Sequence, residues 1–185
     1  MPGSAQVINH LKGRLCVCNA YSGSRVSGDR FPAANCMERI MALAQGEMRP
    51  DIILVYIGFN DFGYGVCLKG NEPEKEDICC FYDAYLRMLL EIRECYPETM
   101  TVCGTLMKGY LKKDSEWIFP ECFGGYPFSE YNALIREAVR KSGCSLADLA
   151  SLGTRYETLD GTHATAVGQK TISEAWISEL NYYYT

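Results

Sequence analysis

Short apolar runs alternate with amphipathic stretches along the chain, a pattern typical of strands alternating with helices. The clearest run covers residues 52–57 and is rich in β-branched side chains. Its length and composition predict a strand buried on both faces. The run ends in Gly-Phe-Asn60-Asp61. In an open parallel sheet, ligands bind just beyond the carboxyl ends of the strands. Asn60 and Asp61 are therefore candidate ligand-binding residues, although Asn-Asp after a strand is also common turn chemistry.

The remaining elements follow from the same patterns. Further strands are predicted at 14–18, 100–106 and 144–149, and helices at 4–12, 33–45, 77–95, 130–142 and about 165–180. Ser129 is predicted to cap one helix and Gly143 to end it. The segments 19–28, 62–75 and 107–127 are predicted loops. The last contains Trp117, Phe119, Phe123 and Tyr126, whose rings could form a lid or cover the core. The alternation favours a single α/β domain over residues 1–185.

Composition narrows the function. The chain has 185 residues, 48% of them hydrophobic, and a net charge of −5. These values exclude a disordered protein and give no basic surface for nucleic acid. No apolar run reaches membrane-spanning length and no signal peptide is seen, so a cytoplasmic protein is expected. Its ten cysteines are then expected to be reduced. Cys79 and Cys80 are placed on a helix, and no metal site or cofactor is expected.

Only two histidines are available for acid–base chemistry. His10 is predicted to be a surface residue of the first helix. His163 lies in Asp160-Gly-Thr-His163, between the last predicted strand and the last helix. An Asp three residues before a His can hold the imidazole in one tautomer and stabilise its protonated form, as a general base requires. By itself this spacing also occurs by chance.

Three features at successive strand ends together resemble the SGNH (GDSL-type) hydrolase family. They are Asn19…Ser22-Gly23, Gly58-Phe-Asn60-Asp and Asp160-Gly-Thr-His163. The resemblance extends from about Gln6 onward and implies a three-layer, flavodoxin-like parallel sheet. It implies that Asn60 and the Gly23 backbone N–H form an oxyanion hole. It also implies that His163 is the general base, oriented by Asp160. The family's Pro after His is Ala164 here, and Thr165 is expected to cap the helix instead.

The family's serine nucleophile lies in a Gly-Asp-Ser block, and the sequence contains no such block. The chain is expected to lack the first, interior strand, which implies a rearranged sheet edge and a homodimer that covers it. Ser22 and Ser24 are weak candidates for a substitute nucleophile, since loop serines usually serve turns and caps.

The leading hypothesis is an ester hydrolase acting on a small acyl ester or an acylated glycan, with weak or lost activity. The alternative is a non-catalytic binding or assembly protein that keeps the fold. A flavodoxin-like nucleotide binder is a third reading, but the loops lack a glycine-rich phosphate cradle before a helix.

Overall fold

The computed structural model describes residues 2–44, 46, 48–70 and 78–183. Helices and parallel strands are mixed along them, and the α/β class predicted from the sequence is confirmed. In chain order they are α1 (Pro2–His10), α2 (Met37–Met41), β1 (Ile52–Val55), α3 (Phe59–Tyr64), α4 (Phe81–Cys95), β2 (Met100–Gly104), β3 (Gly109–Leu111), α5 (Phe128–Ser142), β4 (Ser145–Ala147), β5 (Tyr156–Thr158) and α6 (Ala166–Leu180). Single turns of 3₁₀ helix lie at Leu149–Leu152 and Asn181–Tyr183.

The chain divides into two compact units, and each has its own sheet. One unit consists of Cys16–Cys103 and Glu121–Leu146, and the other of Met1–Leu15, Gly104–Pro120 and Ala147–Thr185. The sheet of the larger unit has the strand order β1-β2-β4, and β1 runs parallel to β2. The smaller unit has a parallel pair, β3 and β5. That residues 1–185 form one domain stays a prediction.

Aromatic side chains fill the core of the larger unit. Helices α4 and α5 pack together because each has apolar residues at spacings of three and four on one face. The rings of Phe81 and Tyr131 meet edge to face with centroids 4.9 Å apart, and those of Phe62 and Phe128 with centroids 5.0 Å apart. All four side chains are almost completely buried. Helix α5 ends as predicted, at Gly143 in the left-handed conformation.

The core of the smaller unit lies around α6, which packs against α1 and β5. Thr165 accepts a hydrogen bond from the Gly168 N–H and caps α6, as predicted. A Cβ atom at Gly168 would collide with the Glu157 carbonyl group, so only glycine allows this close approach of helix and strand. The cap therefore fixes where α6 begins, immediately after the Asp160–His163 turn.

The strand predictions need four corrections. Residues 14–18 do not form a strand: Leu15 is 52% exposed and Cys18 is exposed, so the apolar pattern there buries no face. The predicted central strand is buried on one face only, because Leu54 is 38% exposed while Ile53 and Val55 are buried. The strands predicted at 100–106 and 144–149 are shorter, as β2 and β4. Strands β3 and β5, three residues each, were not predicted. The expected homodimer stays a prediction.

The helix predictions are also corrected. The helix predicted at 33–45 is only the single turn α2, with Met37 and Met41 exposed; Gln45 lies outside the described residues. The predicted loop at 62–75 begins inside α3, and residues 71–75 lie outside the described residues. Helix α4 begins at Phe81, and Asp77 also lies outside them. Ser129 caps no helix, because α5 already begins at Phe128 after Pro127.

The expectation that all cysteines are reduced is wrong, because Cys67 and Cys80 form a disulfide bond. Neither Cys79 nor Cys80 lies on a helix: Cys80 occupies the N-cap position of α4. The bond joins the segment after α3 to the start of α4. The other eight cysteines are reduced. Within the described part of the chain, no helix is long and apolar enough to cross a bilayer.

Candidate active site

The loop that carries Gly23 is held at both ends by one arginine. The Arg39 guanidinium donates to the Asn19 side-chain oxygen at 2.8 Å, to the Asn19 carbonyl oxygen at 2.7 Å and to the Pro32 carbonyl oxygen at 2.7 Å. The Asn19 amide nitrogen donates back to the Arg39 carbonyl oxygen at 3.0 Å. Arg39 is buried, which lowers the pKa of its guanidinium below the usual value. The planar fork of arginine therefore fixes a loop of about a dozen residues by its two ends.

The middle of the same loop is held by Asp61. Its carboxylate is fully buried and accepts hydrogen bonds from the Val26 N–H at 2.8 Å and the Ser27 N–H at 3.1 Å. Burial raises the pKa of this carboxyl, and the two N–H donors counteract part of that rise. Asp61 was predicted to lie at the ligand-binding rim. The structure gives it the role of a loop anchor.

Asn60, the predicted oxyanion donor, lies against this loop as well. Its side-chain nitrogen donates a hydrogen bond to the Ser24 carbonyl oxygen at 2.8 Å. An amide nitrogen carries two hydrogens, so this bond orients the side chain and leaves the second hydrogen for a ligand oxygen. The oxyanion role of Asn60 stays a prediction; its contact with the Gly23–Ser24 segment is observed.

Gly23 has the backbone conformation that its predicted role favours. It adopts φ +72°, in the left-handed region where glycine is preferred, and a Cβ atom there would meet no atom within 4 Å. Open space next to the backbone lets a ligand approach closely. Of the two candidate serines beside it, Ser22 is exposed, whereas Ser24 is 6% exposed and less accessible as a nucleophile.

The predicted base and its orienting carboxylate lie in the turn between β5 and α6. Asp160 Oδ2 lies 2.7 Å from His163 Nδ1, while Oδ1 accepts the His163 backbone N–H at 2.9 Å. The Thr162 N–H donates to the same Oδ1 at 3.1 Å. These hydrogen bonds, led by that from the His163 backbone, hold the pKa of Asp160 well below its usual range. The carboxylate is therefore ionised at neutral pH and faces Nδ1, which leaves Nε2 as the basic nitrogen.

The turn itself is built to hold this contact. The Leu159 N–H donates to the His163 carbonyl oxygen at 2.9 Å, and the Gly161 N–H donates to the Thr158 hydroxyl at 2.9 Å. The ring of Trp117 covers Gly161, where a Cβ atom would be 2.8 Å from it. The His163 side chain remains 76% exposed. A rigid turn thus presents an accessible imidazole whose Nδ1 side is already occupied.

The structure therefore brings Asp160 and His163 together in one unit, and it places Asn60 against the Gly23–Ser24 segment in the other. His10, predicted at the surface, is exposed and pairs with the Asn181 side chain at 2.8 Å. Arg39 was not found as a functional residue from the sequence, and Asp61 was singled out there as a ligand-binding residue, not as a loop anchor. Within the described residues, no group of three or more His, Cys, Asp or Glu side chains could hold a metal ion.

The family model of the GDSL-like lipase/acylhydrolase family matches residues 4–171, which is most of the chain. The chain belongs to this family. None of the curated proteins matches it. The resemblance found in the three sequence motifs is thereby confirmed, and the chain is a hydrolase-family protein of the SGNH type.

Solved structures with the same fold are longer and distant in sequence. A candidate GDSL-like lipase from Bacteroides uniformis is 20% identical with a TM-score of 0.68, covering 97% of this chain and 76% of that one. A protein from Lactobacillus plantarum is 22% identical with a TM-score of 0.69, covering 89% and 79%. A possible lipase from Chitinophaga pinensis is 13% identical with a TM-score of 0.69, covering 97% and 87%. At these identities the likeness supports the α/β fold of the SGNH hydrolases and nothing finer.

Proposed function

We propose that this chain is an SGNH-type ester hydrolase by ancestry that retains the base and the oxyanion donors of a serine esterase. The observation that carries the proposal is the 2.7 Å contact between Asp160 Oδ2 and His163 Nδ1. In the proposed reaction, Nε2 of His163 removes the proton from a serine hydroxyl as the oxygen attacks an ester carbonyl. The Asn60 side-chain N–H and the Gly23 backbone N–H stabilise the resulting oxyanion. His163 then returns the proton to the departing alcohol, which leaves the acyl group on the serine oxygen. In the second step Nε2 takes a proton from a water molecule that attacks the acyl-serine, and returning this proton to the serine oxygen releases the acid.

The nucleophile is the part that this sequence does not supply in the family's form. The sequence contains no Gly-Asp-Ser block. We therefore propose that this chain hydrolyses esters weakly or not at all. The substrates would be a small acyl ester or an acylated glycan, and the site residues do not discriminate between them.

Labelling with a fluorophosphonate probe tests the proposal. Intact mass detects an adduct, and peptide mapping locates the labelled residue. The wild-type chain, His163→Ala and the control His10→Ala are compared. No adduct and no turnover of a chromogenic ester in any of the three is the expected result. An adduct on Ser22 or Ser24 that disappears in His163→Ala alone would mean that a loop serine has become the nucleophile. Turnover at a normal enzymatic rate would contradict the proposed loss of activity.

The second candidate is a non-catalytic binding protein. The hydrogen bond from the Asn60 amide to the Ser24 carbonyl oxygen favours this reading, because it gives Asn60 a structural role in the loop that needs no catalysis. This reading predicts ligand binding that His163→Ala leaves unchanged. Binding that is lost with His163→Ala would count against it.

A further inference from the structure

A cavity of about 490 Å³ opens beside the predicted oxyanion donors. Gly23 and Ser24 form one part of its wall, and Phe31, Pro32 and Tyr64 form apolar surface in another. Tyr64 is 71% exposed and Phe31 46% exposed, so large apolar areas there remain in contact with water. A cavity of this size holds a small molecule rather than a single water.

The cavity wall also contains charged side chains, those of Arg25, Asp29 and Arg30. Asp29 pairs weakly with Arg30, at 3.9 Å and with both side chains exposed. The Arg25 guanidinium lies 5.5 Å from the centroid of the Tyr64 ring, which supports it from one side. Within the described part of the chain no carboxylate lies at ion-pair distance from Arg25, so its N–H groups can serve a ligand. Its charge also acts at longer range on the buried Asp61 carboxylate and counteracts part of the rise in the pKa of that group.

The loop that presents Arg25 is fixed without any ligand. The residue after it, Val26, donates its N–H to buried Asp61, and the Arg25 carbonyl oxygen accepts the Ala34 N–H at 2.9 Å. The Gly28 N–H donates to the Ile78 carbonyl oxygen at 2.8 Å. A preformed loop loses little conformational freedom when a ligand binds, so its contacts are retained as affinity.

A cationic wall is notable in a chain with a net charge of −5, which on average repels anions. We propose that this cavity holds the non-reacting part of the substrate and that Arg25 binds an anionic group on it, a carboxylate or a phosphate. The apolar walls would contact a ring or short chain between that group and the ester. The proposal rests on the proposed function only in placing the ester beside Gly23 and Asn60.

The test is a calorimetric comparison of three probes of similar shape. They are 4-acetoxybenzoate, 4-acetoxyphenyl phosphate and the neutral 4-acetoxybenzamide. We expect at least one anionic probe to bind about tenfold more tightly than the amide, the effect of one charge-assisted contact. The two anionic probes show which group is preferred. Failure of both to bind, or equal binding of all three, would overturn the proposal.

Variants locate the effect. Arg25→Gln should reduce the preference for the anion to about twofold or less, and Arg25→Lys should keep part of it because the charge remains. Arg140→Gln, an exposed arginine outside the cavity, is the matched control and should leave the preference unchanged. A preference that survives Arg25→Gln would contradict the proposal.

The His163→Ala variant separates the proposed binding of an anion by Arg25 from the proposed function as an ester hydrolase. The preference for the anion should persist in this variant, because Arg25 alone carries it, and its loss would also contradict the inference. The fluorophosphonate experiment can therefore contradict the proposed function while the preference for the anion is found. The reverse is equally possible.

Discussion

The Asn60 side-chain nitrogen lies 2.8 Å from the Ser24 carbonyl oxygen, so the predicted oxyanion donor also holds the loop that carries the second one. One amide thus has two tasks, since one hydrogen is bonded to the loop and the other is available. A preorganised donor of this kind needs no rearrangement when charge develops on a ligand. Because the contact contributes to stability, the structural role of Asn60 can be tested without measuring ester hydrolysis.

Asn60→Ala should lower the free energy of unfolding by about 1 kcal/mol, because the Ser24 carbonyl oxygen loses a half-buried donor. Asn60→Asp should cost more at neutral pH, since it sets a carboxylate oxygen against that carbonyl. The new carboxyl should then have a raised pKa, so stability should recover as the pH falls and the group becomes a donor. Urea unfolding at neutral and acidic pH measures both. Asn181→Ala, at the surface, is the control. If Asn60→Asp and Asn60→Ala had the same free energy of unfolding at all pH values, the expectation would be contradicted.

Asp160→Asn should change the tautomer of His163. In the wild type, the carboxylate facing Nδ1 favours a proton on that nitrogen and leaves Nε2 unprotonated. The Asn amide would instead donate to Nδ1, and the proton would move to Nε2, where it blocks general-base catalysis. Nitrogen chemical shifts of the imidazole report the tautomer directly. His10, the only other histidine, is an internal control and should not change. An unchanged His163 tautomer would refute the orienting role of Asp160.

The fold class and the Asp160–His163 pair were predictable because both depend on local patterns. Apolar spacing along α4, α5 and α6 gives the helices, and a three-residue separation gives the carboxylate–imidazole contact. The strands β3 and β5 were missed because each has only three residues and, unlike β4, neither was part of a longer predicted strand. Their pairing joins positions nearly fifty residues apart.

The loop anchors could not be predicted for a similar reason. Asp61 accepts N–H groups from residues 34 and 35 positions earlier, and Arg39 reaches 20 positions back to Asn19. Contacts between a side chain and a distant backbone leave no periodic trace in the sequence. Asp61 was placed at the ligand-binding rim because it follows a strand. The direction of its side chain, which the pattern does not give, decides its role.

Asp61→Asn should destabilise the protein by about 1–3 kcal/mol, because the amide can accept only one of the two loop N–H groups and sets a donor against the other. Burial raises the pKa of Asp61 in the folded state, so the folded chain binds more protons than the unfolded chain between the two pKa values. The contribution of this group to stability is therefore present at acidic pH and lost as the pH rises through the folded pKa.

Urea unfolding across the acidic range checks both parts of that prediction. The wild type should lose stability with rising pH more steeply, or gain it less, than Asp61→Asn. Asp83→Asn is the matched control, since Asp83 accepts the single Gly70 N–H at 2.9 Å in a half-buried position. Identical pH slopes for the wild type and Asp61→Asn would contradict the assignment.

The disulfide between Cys67 and Cys80 closes a loop with a sequence separation of 13. Constraining a loop of this size stabilises a fold by about 3 kcal/mol in the chain-entropy model. The unfolded protein, kept without reductant, should show eight reactive thiols, one for each cysteine outside the disulfide, and ten after reduction.

The double variant Cys67→Ala/Cys80→Ala should lower the free energy of unfolding by about 3 kcal/mol, because the loop is no longer closed in the unfolded state. Cys79→Ala is the matched control, because Cys79 is reduced and exposed beside Cys80. It should lose one reactive thiol and keep the stability of the wild type. Ten thiols without reductant would mean that the pair is reduced in the isolated protein and would contradict the disulfide.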